Sequence, residues 1–256
     1  MSDLPETFEE GLFLVRRGES IPREEVFSSL EKRQFACLRG LFEIEEVMEV
    51  RSHLKARVRR ENDRPSRGET PQDLRSNYQK LRVGSAAPNA SSREFGRFLR
   101  TLFNPLWCED IFGAHDLFRR LAGVRNQLLG RPDDWATDSF EDGFWTAARI
   151  HQYPVGGGFM GTHRDEALSD AHDENNLPYL QVLLLLSKKG KDFERGGGYL
   201  MHGDERLVLD DYCEMGDVVI YNGSSLHGVA DIDPHRPLDL DEVGGRLAAF
   251  VSLYRS

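Results

Sequence analysis

Up to about residue 145 apolar positions recur every three or four residues, as in PREEVFSSLEKRQFACLRGLF, SREFGRFLRTLF and AHDLFRRLAGVRNQLL. Polar residues fill the gaps, and this period predicts amphipathic helices. Pro22 followed by Glu24 and Glu25 gives the kind of start such a helix favours. RSHLKARVRREN at 51–62, coming after FEIEEVMEV, reads as the solvated face of a charged helix. Between these runs, ENDRPSRGETPQDLRSNYQKLRVGSAAPNASS is rich in Pro, Ser, Asn and Gly and is too long for a simple connector, so a binding loop is expected there. Beyond 145 the texture changes to short β-rich runs divided by Gly, Asp and Asn: TAARIHQYP, GFMGTH, YLQVLLLLS, GGYLMH, RLVL, GDVVIYN, LHGVAD and RLAAFVSLY. Such spacing, with no helical period between the runs, predicts an antiparallel sandwich or barrel. The expected architecture is a single α+β unit over residues 1–256, in which 1–145 supply packed helices and a lid and 146–256 form the β core.

Charge and composition narrow the classes of function. The formal charge of −10 would repel a phosphate backbone over most of the surface, so nucleic acid is not the expected partner. No apolar run approaches the roughly 20 residues that cross a bilayer. The first twenty residues, MSDLPETFEEGLFLVRRGES, carry acids before a short apolar patch and do not resemble a secretory signal. Cys37, Cys108 and Cys213 are odd in number and widely spaced, as expected of reduced, buried thiols in a cytoplasmic protein.

The candidate chemistry lies in GTHRDEALSDAHDENN at 161–176, which contains two His-x-carboxylate pairs. A mononuclear iron site of the facial type takes two imidazoles and one carboxylate on one side of the ion and leaves the other positions open. Residues two apart on a strand point the same way, so His163 and Asp165 can reach one ion if GFMGTHRD is extended. His172 and Glu174 sit in SDAHDENNLP, where a regular strand is not expected. Three later histidines compete for the third position. His227 follows GDVVIYNGSS, a strand and turn that would bring it back across a barrel, and it is better placed than His202 or His235.

The order HQYPVGGGFMGTHRD, QVLLLLS, FERGGGYLMH, GDVVIYNGSSLHGV and GGRLAAFVSLY resembles that of the iron(II)/2-oxoglutarate-dependent dioxygenases, over residues 150–255. The resemblance implies a double-stranded β-helix, the jelly-roll or cupin-like core. It implies His163, Asp165 and His227 as iron ligands, and Arg246 as the cation that pairs the far carboxylate of 2-oxoglutarate. A guanidinium fork suits a dicarboxylate better than a point charge does. DIDPHRPLDLDEVGG lengthens the usual separation before that arginine, and Arg236 is the alternative. Ala248 stands where some members carry a hydroxyl, and Tyr153 is expected to supply it. GGG at 156–158 and 196–198 reads as tight turns, since neither is followed by a helix with a lysine.

Iron(II), 2-oxoglutarate and O2 are thus the implied cofactors, with succinate and carbon dioxide as co-products. Hydroxylation of an unactivated C–H is the default outcome, and desaturation or cyclisation are variants of it. Relatives that halogenate replace the carboxylate ligand with a small residue, so Asp165 disfavours halogenation. The expected substrate is a small, amino-acid-like molecule or natural-product intermediate, with Asn77, Lys80 and Arg82 as candidate contacts. A prolyl-type protein hydroxylase and a non-catalytic cupin-like binder are the alternatives.

Overall fold

The computed structural model describes residues 6–65, 69–84, 98–165, 172 and 176–255. Five α-helices occur among them: α1 Glu6–Glu9, α2 Arg23–Arg33, α3 Ile44–Arg57, α4 Pro71–Leu74 and α5 His115–Leu128. The first five strands are β1 Leu12–Leu14, β2 Phe35–Arg39, β3 Arg64–Pro65, β4 Gln79–Val83 and β5 Phe98–Phe103. The remaining eight are β6 Phe144–Tyr153, β7 Met160–His163, β8 Leu180–Leu185, β9 Gly197–His202, β10 Glu205–Val208, β11 Val218–Asn222, β12 His227–Ala230 and β13 Arg246–Arg255. Nine strands form a large sheet in the order β1-β2-β11-β8-β13-β6-β5-β4-β3, and four form a smaller one in the order β10-β9-β12-β7. The small sheet is antiparallel throughout.

Period-two alternation assigns the two faces of the large sheet. β13 pairs with β6 along its whole length, from Arg246 opposite Tyr153 to Arg255 opposite Phe144, and with β8 through Ala248, Ala249 and Phe250. Leu247, Ala249 and Val251 turn to one side and join Ala148 and Ile150 of β6, Val182 and Leu184 of β8, and Val218 and Ile220 of β11. The apolar faces of α2, α3 and α5 pack on that side, through Val26, Val47, Val50, Leu54, Phe118 and Leu121. On the other side, Ala248 and Phe250 meet Leu183, Leu185, Val219 and Leu200 of the small sheet. Because both faces are covered, these strands read as nearly continuous apolar runs, which is why their alternation is faint in the sequence.

Two expected helices are corrected. PREEVFSSLEKRQFACLRGLF is helical only through Arg33: Gln34 takes a left-handed conformation (φ 70°), and FACLR becomes β2, paired with β11 from Leu38 opposite Val218 to Phe35 opposite Tyr221. The FLRTLF part of SREFGRFLRTLF is β5, held between β4 and β6. Burial on both faces gives these segments more as strands than one helical stripe could. The region before residue 145 therefore adds strands to the large sheet as well as helices to its outer face. The basic stretch 51–62 is helical through Arg57 but not wholly solvated, since Arg51 is buried and paired with Asp192 at 2.5 and 3.1 Å. The long segment expected as a loop contains β3, α4 and β4.

Candidate metal centre and its cavity

β7 and β12 lie side by side in the small sheet, with His163 directly opposite His227. Their rings are 4.3 Å apart between centroids. Asp165 follows just beyond the end of β7 and is anchored by its amide, which donates to the Gly223 carbonyl at 3.0 Å. Its two oxygens face the two imidazoles: Oδ1 is 3.5 Å from His163 Nε2 and Oδ2 is 3.7 Å from His227 Nε2. The donor atoms of all three residues lie within 4.8 Å of one another.

The outer ring nitrogens decide the tautomers. His163 Nδ1 donates to the Gly161 carbonyl at 2.8 Å, and His227 Nδ1 donates to the Ser225 carbonyl at 2.9 Å. With each proton placed on Nδ1, the Nε2 lone pairs turn inward toward the carboxylate, the arrangement seen around metal-ligating histidines. Burial lowers the pKa of His227 against the pull of Asp165, so it is neutral more readily than an ordinary histidine. For His163, burial is outweighed by the bond to Asp165 and the Gly161 carbonyl, and the pKa rises. Burial also opposes ionisation of Asp165, but His163, His227 and Gln181 overcome it and hold its pKa down at about 2. Two neutral-capable imidazoles and a persistent carboxylate, held at one point, are a donor set that fits a divalent iron.

A second group that could hold a metal is Cys37, Cys213 and Asp217. All three are buried, and the Asp217 carboxylate is taken up by Arg39 at 2.7 and 2.9 Å and by the Glu214 amide. It opens onto no cavity that holds the other expected residues.

The His163 group borders a cavity of about 450 Å³ between the two sheets. At one end stands Arg246, the first residue of β13, buried and gripped through Nε by both oxygens of Asp210 at 3.0 and 3.1 Å. Asp210 in turn accepts from the Gly198 amide at 2.7 Å. A Cβ on Gly198 would lie 2.5 Å from Arg246 Nη2 and 3.0 Å from Asp210 Oδ2, so glycine is required for the close approach. Tyr153 lies across β6 from Arg246, with its ring 5.8 Å from the guanidinium and its hydroxyl pushed up to about 12 by burial. Arg236, the alternative, is exposed, pairs with Asp233 at 3.7 Å and does not border the cavity.

The remaining expected residues divide. Arg82 borders the cavity. Lys80 is fully buried instead, paired with Asp73 and lying 5.5 Å from the Phe103 ring centroid, and Asn77 donates to the same Asp73 at 3.5 Å; neither borders the cavity. His172 packs among aromatic rings, 4.8 Å from Tyr179 and 5.3 Å from Phe144, while its neighbour Glu174 lies outside the described residues. His202 and His235 are exposed. The glycine runs do make turns, with positive φ at Gly156, Gly196 and Gly197.

Residues that no motif flagged complete the site. Gln181 donates to Asp165 Oδ2 at 2.7 Å, and Ser252 donates to Gln181 Oε1 at 2.7 Å. Arg149 donates to Ser252 Oγ at 3.1 Å, so a chain of bonds runs from the carboxylate to a guanidinium on the cavity wall. Gln181 is the one polar residue in YLQVLLLL, and Arg149 the one charge in TAARIHQY. A polar side chain in a two-face-buried strand is the signal that could have found both.

No known family profile matches this chain, and no curated protein matches it by sequence. Solved structures do resemble it. A 2OG-Fe(II) oxygenase family oxidoreductase from Burkholderia pseudomallei superposes with a TM-score of 0.53 at 11% identity, covering 95% of each chain. A Pseudomonas putida prolyl-4-hydroxylase gives 0.52 at 13%, over 91% of this chain and 98% of that one. EctD from S. alaskensis, solved with 2-oxoglutarate and 5-hydroxyectoine, gives 0.52 at 15%, over 96% of this chain and 80% of that one. At such identities the likeness is one of fold: the mixed α+β architecture, with its large sheet and few helices, is that of the 2OG-Fe(II) oxygenases. It extends well beyond the region 150–255 that carried the resemblance in the sequence.

Proposed function

We propose that this protein is an iron(II)/2-oxoglutarate-dependent oxygenase that hydroxylates an unactivated C–H bond of a small molecule, and that its facing sheets are a double-stranded β-helix. The observation that carries the reading is the convergence of three donors, with both imidazole protons held on the far nitrogens, on the wall of a cavity that also holds a buried arginine.

His163, Asp165 and His227 would hold the ion. When bound, iron(II) supplies oxygen activation coupled to decarboxylation of 2-oxoglutarate to succinate and carbon dioxide. The chain's own residues do the rest. Arg246, fixed by Asp210 through Nε, keeps its terminal nitrogens for the far carboxylate of 2-oxoglutarate. Tyr153, protonated because it is buried, can donate to the same group. Gln181 restrains Asp165, which stays ionised at any ordinary pH. Apolar neighbours such as Leu185, Leu200 and Val219 exclude water from the cosubstrate end. The substrate would occupy the opposite end, beside Arg82 and Arg149. A small molecule suits a cavity of about 450 Å³.

Succinate release tests the proposal. With iron(II), oxygen and 2-oxoglutarate the wild type is expected to form succinate, stimulated by the right member of a panel of free amino acids and related metabolites. Asp165→Ala is expected to abolish it, and Arg246→Ala chiefly to raise the 2-oxoglutarate concentration required. Succinate at the native rate without Asp165 would refute the ligand assignment. An unchanged requirement in Arg246→Ala would pass that role to Arg236, and stimulation by prolyl peptides alone would move the substrate class to proteins.

A further inference from the structure

We propose that Arg149 is the substrate's carboxylate receptor: the molecule acted on carries a free carboxylate group, which docks on this guanidinium at the end of the cavity opposite Arg246. The proposal rests on the oxygenase reading for the identity of the cavity and adds to it the chemical class of the substrate.

Arg149 is held on β6 with only 5% of its surface exposed, and it borders the cavity. Its hydrogen-bond partners among the described residues are all neutral. Nε donates to His151 Nε2 at 3.1 Å, Nη1 to the Ala147 carbonyl at 3.0 Å and Nη2 to Ser252 Oγ at 3.1 Å. A guanidinium has five N–H groups, so two of them, one on each terminal nitrogen, have no acceptor among the described residues. No carboxylate of the described residues forms an ion pair with it. Arg51, Arg100 and Arg246 are paired with Asp192, Asp63 and Asp210, whereas Arg125, which is buried away from the cavity, is enclosed by oxygens of Asn126, Trp135, Thr146 and Val251. Burial opposes its charge, and Glu69 and Asp165 favour that charge only through space, so an anionic ligand would supply the direct ion pair that the described residues do not.

The setting is rigid and selective. The guanidinium carbon lies 5.2 Å from the Phe250 ring centroid and 5.3 Å from that of Tyr254, so two aromatic faces fix it. His151 accepts from Nε, which places its own proton on Nδ1, and that nitrogen is buried with no partner among the described residues. Glu69, a carboxylate that borders the cavity, accepts from the Tyr254 hydroxyl at 2.8 Å. The chain Arg149–Ser252–Gln181–Asp165 then ties the substrate's anchor to the proposed metal ligand. A molecule anchored on Arg149 would present its carbon skeleton toward His163 and His227, which fixes which C–H bonds come near them.

The test is ligand-observed saturation-transfer NMR on the protein loaded with zinc(II) and saturated with 2-oxoglutarate. The probes are phenylacetate and its uncharged isostere phenylacetamide. Phenylacetate is expected to bind about tenfold more tightly than the amide, the size of one charge-assisted contact. That preference is expected to vanish in Arg149→Gln and to persist in part in Arg149→Lys, both checked for native circular dichroism. Equal binding of acid and amide by the wild type, binding of neither, or an unaltered preference in Arg149→Gln would overturn the proposal. So would binding of phenylacetate to the zinc(II) protein before 2-oxoglutarate is added that is lost once it is added, which would make this end part of the cosubstrate's site. Failure of the oxygenase reading shows elsewhere, as absent succinate formation with iron(II) by a protein that still prefers the acid.

Discussion

Gln181 shows how much of this site depends on single side chains outside the expected ligand set. It bonds both to Asp165 and to the Tyr179 hydroxyl, at 2.7 and 3.0 Å, and accepts from Ser252. Outer partners of this sort orient ligands and typically matter 10–100-fold in metal affinity. Gln181→Leu keeps the apolar volume but lets Asp165 rotate, and anaerobic titration with iron(II) is expected to show binding weaker by about that factor. Affinity equal to the wild type's would mean that the bond from the Asp165 amide to the Gly223 carbonyl and the histidines suffice to hold the carboxylate. The grouping of His163, Asp165 and His227 was legible from the sequence because Asp165 follows two positions after His163, just past the end of β7, and His227 begins the neighbouring β12. Arg149, Gln181 and Asp210 were not, because their roles arise from strands distant in sequence that meet only in the folded sheets. Lys80 shows the converse error: a charged residue in a polar segment was expected at a ligand, and Asp73 and the Phe103 ring bury it in the protein's own packing.

Strands carry the site, and they were unevenly readable. The eight runs after residue 145 emerged at the positions expected, because Gly, Asp and Asn mark the turns between them. β2 and β5 did not: FACLR directly continues a true helix, and FLRTLF has apolar residues at helical spacing although it is flanked by strands on both sides. In β9, Gly198 lets the strand approach Arg246 more closely than any Cβ would allow. Gly198→Ala is accordingly expected to displace the guanidinium, raising the 2-oxoglutarate concentration for half-maximal turnover about tenfold or more with little change in maximal rate. Loss of maximal rate with an unchanged requirement would place the cosubstrate's carboxylate elsewhere than on Arg246.

For the whole molecule, helix packing against the large sheet has its own signature in acid. His115, at the start of α5, is buried, and burial lowers its pKa from 6.5 despite Asp110. Below pH 6.5 the unfolded chain takes up that proton before the folded one does, so stability present above pH 6.5 is lost as pH falls toward the depressed folded value. His115→Gln is expected to flatten the slope of unfolding free energy against pH just below 6.5, measured by denaturant titration. An unaltered slope would mean that His115 is as easily protonated folded as unfolded.

Everything proposed about activity depends on where one ion sits. The most direct measurement is a crystal structure of the protein grown without oxygen in iron(II) and 2-oxoglutarate, with the metal located by its anomalous scattering. A single peak is expected about 2.0–2.2 Å from His163 Nε2, His227 Nε2 and an oxygen of Asp165, with the dicarboxylate reaching Arg246. A peak at Cys37 and Cys213 instead, or none near the two imidazoles at full iron loading, would contradict the oxygenase assignment.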